Sequence, residues 1–282
     1  MKVCRDSMIK EIIEMERKKA AAKGRKLRLR RPLKPLYPKA AEREYYKGLR
    51  QMVVKARDLV DEIIVPAIPS ILASAQLLRP DRADSYVDDV DNLMEITRIG
   101  FLRDYSPDEL DFLAQTAARR VAITNAVMID KTLKAVLHVQ PLRSEPWLAA
   151  HMEAFVNTNV KLIKTIPEKY FADVEGIVMR GATRGELAKT MKTEIADRFG
   201  VTERRAKLIA RDQVGSFNGE LSRFRQTEVG IEKYTWSTSR DSRVRPTHQD
   251  LDGRVFSWDK PPIEGHPGMA IQCRCVAIPV IE

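Results

Sequence analysis

The chain has 282 residues, and 49 Lys and Arg against 39 Asp and Glu give it a formal net charge of +10. Its 44% hydrophobic and 31% charged residues exclude a disordered polymer and suffice for a folded core. The chain contains no run of 18 or more apolar residues, so we expect no membrane span. The N-terminus lacks the apolar stretch of a secretory signal. Three cysteines are too few for a disulfide scaffold, so we expect synthesis in a reducing cytoplasm.

The excess positive charge is concentrated in one segment near the N-terminus. Between Arg17 and Lys39 there are eleven basic residues and no acidic ones. Taking these eleven charges from +10 leaves −1, so the rest of the chain is nearly neutral. Pro32, Pro35 and Pro38 follow one another at intervals of three, a spacing that favours an extended, polyproline-like path without helix.

This stretch lies within residues 1–40, which are predicted to form a basic N-terminal arm. Two interpretations of the arm remain open. A run of cations can bind the phosphates of nucleic acid, or an acidic protein surface, by releasing counterions. The alternative is a solvated tail with no partner. The residues assigned to binding are Lys18, Lys19, Lys23, Arg25, Lys26, Arg28, Arg30, Arg31 and Lys34.

Glycine usage predicts a body of long helices after the arm. Only three of the thirteen glycines precede residue 176. The run Ser106-Pro107-Asp108-Glu109 is typical of a helix start, and apolar residues recur at helical spacing from there to about residue 138. Further helices are predicted near residues 4–23, 39–62, 67–78, 84–102 and 145–164.

The segment 184–226 is predicted to form two shorter helices. Thr183 and Glu186 make a capping box for the first helix, and Gly200 ends it. Thr202 can cap the second helix. Two helices joined by a turn suggest a DNA-binding helix-turn-helix, although a simple helical hairpin is the commoner structure.

Past Gly230 the sequence favours short strands. Strand propensity is high at 234–238, 254–258 and 276–281, and Asp252-Gly253 is a turn signal before the second of these. The predicted fold class is therefore mainly α with a small C-terminal α+β domain.

Three regions are predicted along the chain. The basic arm at 1–40 is followed by a body of long helices at 41–183. A compact unit with strands and a group of His and Cys residues completes the chain at 184–282.

The most informative residues for chemistry lie near the C-terminus. His248, His266, Cys273 and Cys275 account for two of the four histidines and two of the three cysteines, and they fall within 28 residues. Imidazole and thiolate are the ligands that zinc prefers in tetrahedral sites, so the four form a candidate structural zinc site. The alternative is that the histidines cap turns and the cysteines pack as small apolar side chains.

A catalytic metal site is a further alternative. His248 and Asp252 beside a metal could serve in a metal-dependent nuclease, with arginines contacting phosphate. Four protein ligands, however, would leave no coordination position for water. We therefore expect a protein that is not an enzyme.

Several separated motifs resemble one known family. They are RAKLIARD at 205–212, YTWSTSRDSRVRPTHQDLDG at 234–253, His-Pro at 266–267 and Cys-Arg-Cys at 273–275. In this order they resemble the phage Mu protein F-like family of minor head proteins, also called head morphogenesis proteins, of tailed bacteriophages. The resemblance covers roughly residues 184–282.

The resemblance implies a structural virion protein with no established catalytic role. Such a protein is made in the cytoplasm of the infected cell and associates with the portal protein or with the major capsid protein at the inner face of the capsid. Packaged DNA would lie within reach of the basic arm. The resemblance also supports a structural metal at the His and Cys positions.

Overall fold

The computed structural model describes residues 8–76, 85–137 and 145–281. Helices dominate these residues, and a π-helical segment at Val60–Ile64 connects two of them. In chain order they are α1 (Met8–Ala22), α2 (Lys39–Leu59), α3 (Val65–Gln76), α4 (Ser85–Asp104), α5 (Pro107–Leu137), α6 (Leu148–Arg184), α7 (Ala188–Glu228) and the short α8 (Pro246–Gln249). Among the described residues, no helix is long and apolar enough to cross a membrane.

Three short strands form one antiparallel sheet in the C-terminal part. They are β1 (Lys233–Ser237), β2 (Val255–Ser257) and β3 (Val276–Pro279), with β1 in the centre. Tyr234 on β1 lies opposite Phe256 on one side and Pro279 on the other. The predicted strands are confirmed, and so is the fold class, mainly α with a small C-terminal α+β part.

The local signals at two turns are also confirmed. The Ser106 hydroxyl accepts a hydrogen bond from the Glu109 amide at 3.3 Å, and α5 begins at Pro107. Gly253 has a φ of 80°, a left-handed conformation that glycine adopts without a steric penalty. Its amide donates to the Trp236 carbonyl at 2.8 Å, so the predicted turn leads directly into strand pairing.

Two compact units divide the described residues, and each is built from separated stretches. The first contains the described parts of Met1–Glu42, Ala117–Glu153 and Arg211–Glu282, and the second contains those of Arg43–Thr116 and Ala154–Ala210. The division into three regions along the sequence stays a prediction, because these units show how the chain packs and not where independent domains end.

The first unit contains two apolar clusters and a buried polar network. One cluster joins α1, α5 and the residues after α7, and the other surrounds β1. Between helices, the Arg225 side chain is only 1% exposed. It donates to both carboxylate oxygens of Glu145, at 2.5 and 2.8 Å, and to Asn125 Oδ1 at 2.7 Å. A buried guanidinium with this many acceptors stabilises the packing only while all of them are present.

The second unit has a helical core of its own. The Tyr45 hydroxyl donates to Asn159 Oδ1 at 2.8 Å, which satisfies both groups inside the core. The largest fully buried side chains of this unit come from α2, α3, α4, α6 and the π-helical segment, and they include Leu49, Met52, Ile64, Ile68, Met94 and Tyr170.

The structure corrects the prediction for the segment 184–226. α7 is one continuous helix, so the turn of a helix-turn-helix does not exist there and the alternative of a DNA-binding helix pair is wrong. A glycine inside a helix costs only about 1 kcal/mol relative to alanine, which burial along a long helix can offset. The Thr202 hydroxyl donates to the carbonyl of Arg198 at 2.9 Å instead of capping a new helix.

The helix before this segment is also longer than predicted. α6 continues past residue 164 to Arg184, with Pro167 inside it and buried together with its neighbours Ile166 and Tyr170. The predicted capping box at Thr183 is wrong, since Thr183 lies in the last turn of α6 and donates to the Met179 carbonyl at 2.8 Å. Tertiary burial, which local signals do not report, decided where these helices end.

The continuity of α7 leads to the first testable prediction. Gly200 has ordinary helical geometry, and an added Cβ would meet only the end of the Arg204 side chain at 3.7 Å. We expect Gly200→Ala to raise the free energy of unfolding by roughly 0.5–1 kcal/mol, measured by chemical denaturation followed by circular dichroism.

The matched control for Gly200 is Gly185, which lies after α6 with a φ of 66°. An added Cβ at Gly185 would meet no atom within 4 Å, so only the backbone conformation opposes alanine there. We expect Gly185→Ala to lower the free energy of unfolding by about 1 kcal/mol. A loss of stability in Gly200→Ala would contradict a continuous helix.

Candidate metal centre

Three of the four predicted metal ligands converge in the first unit. His248 lies on α8, and Cys273 and Cys275 lie just before β3. Their ligand atoms all lie within 4.8 Å of one another, and all three residues are buried. His248 Nδ1 is 3.6 Å from Cys273 Sγ and 3.5 Å from Cys275 Sγ. We call these three residues the thiol–imidazole cluster.

The fourth predicted ligand, His266, lies outside this cluster. Its Nδ1 is 2.9 Å from the hydroxyl of Tyr234, and its ring packs against Trp258 with centroids 4.9 Å apart. Burial lowers the pKa of His266 below its usual value, which favours the neutral ring. The structure thus brings three of the four predicted residues together, because His248 lies against Trp236 whereas His266 lies against Tyr234 and Trp258.

Glycines on α7 allow the cysteine segment to reach its position. A Cβ on Gly215 would lie 2.6 Å from the carbonyl oxygen of Cys273, and one on Gly219 would overlap the carbonyl oxygen of Pro267. On the opposite side, a Cβ on Gly268 would lie 2.6 Å from the carbonyl oxygen of Gly215. Helix and loop therefore touch backbone to backbone, which only glycine permits.

A side chain of α7 also fixes the loop before the first cysteine. Gln272 has a φ of 59°, in the left-handed region that costs an ordinary residue about 1–2 kcal/mol. Its amide donates to Asp212 Oδ1 at 2.9 Å. This hydrogen bond and the glycine contact hold the turn that directs Cys273 inward.

Aromatic side chains cover the other side of the cluster. Trp236 on β1 packs edge to face with the His248 ring, with centroids 5.3 Å apart. Alternation along β1 puts Tyr234 on the same face as Trp236, and both side chains are fully buried. On this side the two thiols therefore face apolar side chains, where a charged sulfur needs specific partners.

The pKa values of the two thiols are shifted in opposite directions. The hydrogen bond from the Cys275 thiol lowers the pKa of the Cys273 thiol, and the backbone amide of Cys275 also donates to Cys273 Sγ at 3.4 Å. The same interaction, together with burial, raises the pKa of Cys275. On the far side of the imidazole, His248 Nε2 is 3.4 Å from a carboxylate oxygen of Glu264.

The cluster lines a cavity of about 330 Å³ that is rich in arginine. Its guanidinium groups belong to Arg211, Arg243, Arg245 and Arg274. Asp241 also lines the cavity and pairs with Arg243 at 3.2 Å. Asp252, which the nuclease alternative placed beside the metal, instead accepts hydrogen bonds from the amide and hydroxyl of Thr238.

Sequence reasoning missed a carboxylate that holds two of these arginines. Glu42 pairs with Arg274 at 2.5 Å and with Arg211 at 3.4 Å, and all three side chains are largely buried. Nothing in the local sequence around Glu42 indicates a partner more than 160 residues away. The contact between α7 and the loop that carries the cysteines does have a signal in the sequence, namely the spacing of Gly215 and Gly219 on one helix face.

The basic arm lies along the first unit with its cations outward. Leu27 and Leu29 pack against the cluster that joins α1 and α5, and no helix or strand occurs between Lys23 and Pro38. Lys34 Nζ donates to the Thr238 carbonyl at 2.7 Å. The prediction that this stretch forms no helix is confirmed, and its polyproline-like path stays a prediction.

The cations assigned to binding fall into three groups. Lys18 and Lys19 lie on α1 and pair with Glu14 and Glu16, at 3.8 and 2.8 Å. Lys34 donates to a backbone carbonyl. The remaining six are exposed and pair with no carboxylate among the described residues, namely Lys23, Arg25, Lys26, Arg28, Arg30 and Arg31.

The glycine contact gives a second testable prediction. We expect Gly219→Ala to lower the free energy of unfolding by roughly 2 kcal/mol, because the new methyl group overlaps a backbone carbonyl that cannot move without displacing the cysteine segment. Chemical denaturation measures the change, and Gly200→Ala on the same helix is the control. Equal stability of the two variants would contradict the contact.

The Glu42 pair gives a third prediction. We expect Glu42→Gln to lower the free energy of unfolding by about 3 kcal/mol at neutral pH, because it leaves two buried guanidinium groups without a carboxylate. The control is Glu203→Gln, which breaks a more exposed pair with Arg50 and should cost less than about 1 kcal/mol.

The effect of Glu42 also depends on pH. Burial raises the pKa of Glu42, but hydrogen bonds from Arg274 and Tyr37 outweigh it and hold the pKa below its usual 4.5. The carboxylate therefore stabilises the fold above pH 4.5, and this contribution is lost as the pH falls through the lowered pKa. Denaturation curves of the wild type and Glu42→Gln should converge in that acidic range, and a constant difference would contradict the assignment.

Comparisons with known proteins agree with the sequence motifs. Residues 172–278 match the family model described as Phage Mu protein F like protein. A protein of Haemophilus influenzae, described as uncharacterized, is 42% identical over 142 residues, which are 50% of this chain and 32% of that relative. The match therefore covers about a third of the relative's length. No solved structure matches the chain. The C-terminal part of the chain therefore resembles the phage Mu protein F-like family, in agreement with its motifs.

Proposed function

We propose that this chain is a structural protein of head morphogenesis in a tailed bacteriophage. It is made in the host cytoplasm and becomes a minor capsid component of the virion, in contact with the portal protein or the inner face of the major capsid protein. The observation that carries the proposal is the family match over residues 172–278. The function is one of assembly and not of catalysis.

The direct test is the protein content of purified particles of a phage that encodes this chain. We expect the chain in filled heads, with chemical cross-links to the portal protein or the major capsid protein identified by mass spectrometry. Absence of the chain from both empty and filled heads would contradict the proposal.

We further propose that the basic arm contacts the phosphates of packaged DNA. Its geometry supports this role, because the alternation of the extended chain turns Leu27 and Leu29 towards the first unit and leaves the neighbouring cations exposed. Six of these cations have no carboxylate partner among the described residues. They can therefore release counterions from DNA without first breaking an ion pair.

The arm gives a fourth testable prediction. Binding of the intact chain to duplex DNA should weaken with salt, with a slope of roughly −5 for log affinity against log salt concentration if all six cations engage phosphates. A variant with these six residues changed to glutamine should lose most of this affinity and most of the slope. Fluorescence anisotropy over a salt series measures both quantities.

A matched variant controls for the change in net charge. It replaces six exposed cations outside the arm with glutamine, namely Arg103, Lys131, Lys161, Lys189, Lys192 and Arg204. We expect it to bind DNA nearly as the wild type does. If the two variants lose affinity equally, the arm has no special role and the binding reflects net charge alone.

A further inference from the structure

We propose that the thiol–imidazole cluster is a zinc centre with three protein ligands, whose fourth coordination position faces the arginine-lined cavity and takes a phosphate group. The proposal does not depend on the role of the chain in the phage head. It differs from the four-ligand structural site that the sequence predicted, because it leaves one position for a ligand from outside the protein.

The two nitrogen–sulfur distances within the cluster match those of a tetrahedral zinc site. Zinc binds thiolate sulfur at about 2.3 Å and imidazole nitrogen at about 2.0–2.1 Å, which at the tetrahedral angle puts sulfur and nitrogen about 3.5–3.6 Å apart. The two distances from His248 Nδ1 to the sulfurs are 3.6 and 3.5 Å. Bound zinc therefore needs no large rearrangement of the three side chains.

The groups that contact the three ligand side chains are of the kinds that orient metal ligands in proteins. A histidine that binds zinc through one nitrogen usually donates its other N–H to a carboxylate, which fixes the orientation of the ring. Glu264 is the nearby carboxylate, with an oxygen 3.4 Å from His248 Nε2, and a small shift of its side chain would be needed to form this hydrogen bond. The amide of Cys275 points at Cys273 Sγ at 3.4 Å, a hydrogen bond that favours the thiolate form.

No described side chain completes the coordination shell. His266 is hydrogen-bonded to Tyr234, Asp252 to Thr238, and neither belongs to the cluster. Asp241 lines the same cavity but pairs with Arg243. A zinc ion with three protein ligands keeps its fourth coordination position open for water or an added ligand. Here that position would lie beside a cavity of about 330 Å³.

The charge around this position selects an anion. Glu42 neutralises part of the charge of Arg211 and Arg274, and Asp241 that of Arg243. Arg245 differs, because its described hydrogen bond goes to the Ile271 carbonyl at 2.6 Å, so no carboxylate offsets its charge. Guanidinium groups bind phosphate oxygens with paired hydrogen bonds, and the zinc ion adds further positive charge.

The first experiment tests the metal on the full chain and is the fifth prediction. We expect elemental analysis of the purified protein to find one zinc per chain. Zinc should be lost in His248→Gln, Cys273→Ser and Cys275→Ser, and retained in His266→Gln and Cys4→Ser. Circular dichroism verifies that each variant is folded. Absence of zinc from the wild type would overturn the proposal, and so would loss of zinc in folded His266→Gln, which would restore a closed shell of four ligands.

The second experiment tests the open position without depending on a variant that removes a ligand. Cobalt(II) in place of zinc should give visible absorption bands typical of a tetrahedral site with thiolate ligands. Adding inorganic phosphate should shift these bands with a saturable dependence on concentration. A stoichiometric metal whose spectrum does not respond to phosphate would overturn the open position.

Arginine variants and a second probe complete the design. Arg245→Gln should raise the phosphate concentration for half of the spectral change by about tenfold, as expected for losing one charge-assisted hydrogen bond. The control, Arg240→Gln, removes an equal charge from an exposed residue that pairs with Asp252 and should leave that concentration unchanged. Equal effects of the two variants would contradict a specific anion site. A short DNA duplex as the probe separates the sources: a shift with the duplex identifies a nucleic-acid phosphate, and a shift with inorganic phosphate alone identifies a free phosphate.

Discussion

The contact between the backbone of α7 and the loop that carries the cysteines is the constraint on which the C-terminal half depends. Cβ atoms on Gly215 or Gly219 would reach the carbonyl oxygens of Cys273 and Pro267. Because the helix has no side chain at these two points, the loop can lie against it and turn both sulfurs towards His248. The sheet then covers the same residues from the other side, with Trp236 against the imidazole. Position and burial of the cluster both follow from this contact.

The positively charged side chains of the arm and those around the cavity differ in exposure and in pairing. The cations of the basic arm are exposed and, for the most part, unpaired, so they remain available for a polyanion. The arginines around the cavity are instead held in place, with Glu42 fixing two of them in a largely buried pair. A buried pair adds little to stability compared with apolar packing, but its loss is costly, which makes Glu42 a requirement for the shape of the cavity.

Sequence signals succeeded where a feature depends on a few neighbouring residues. The cap at Ser106, the turn at Gly253 and the absence of helix at the prolines of the arm each follow from local chemistry, and the structure agrees with them. They failed at Gly200 and Thr183, where local signals predicted helix ends that burial along α6 and α7 overrides. The energies explain the difference, since a glycine or a lost cap costs about 1 kcal/mol and a few buried side chains supply more than that.

By itself the sequence determined the class of fold, the place of the strands, the basic arm and the resemblance of the C-terminal part to the phage Mu protein F-like family, because composition, spacing and ordered motifs carry these directly. It also found all three residues of the cluster, although it could not separate His248 from His266. Only the tertiary structure decided that His248 joins the cysteines while His266 binds Tyr234, and that Glu42 reaches Arg211 and Arg274. These pairings join residues far apart in the chain, and the physical reason lies in packing: tertiary contacts, such as that of the loop with two glycines of α7, bring them together, and no local pattern states which distant residues will meet.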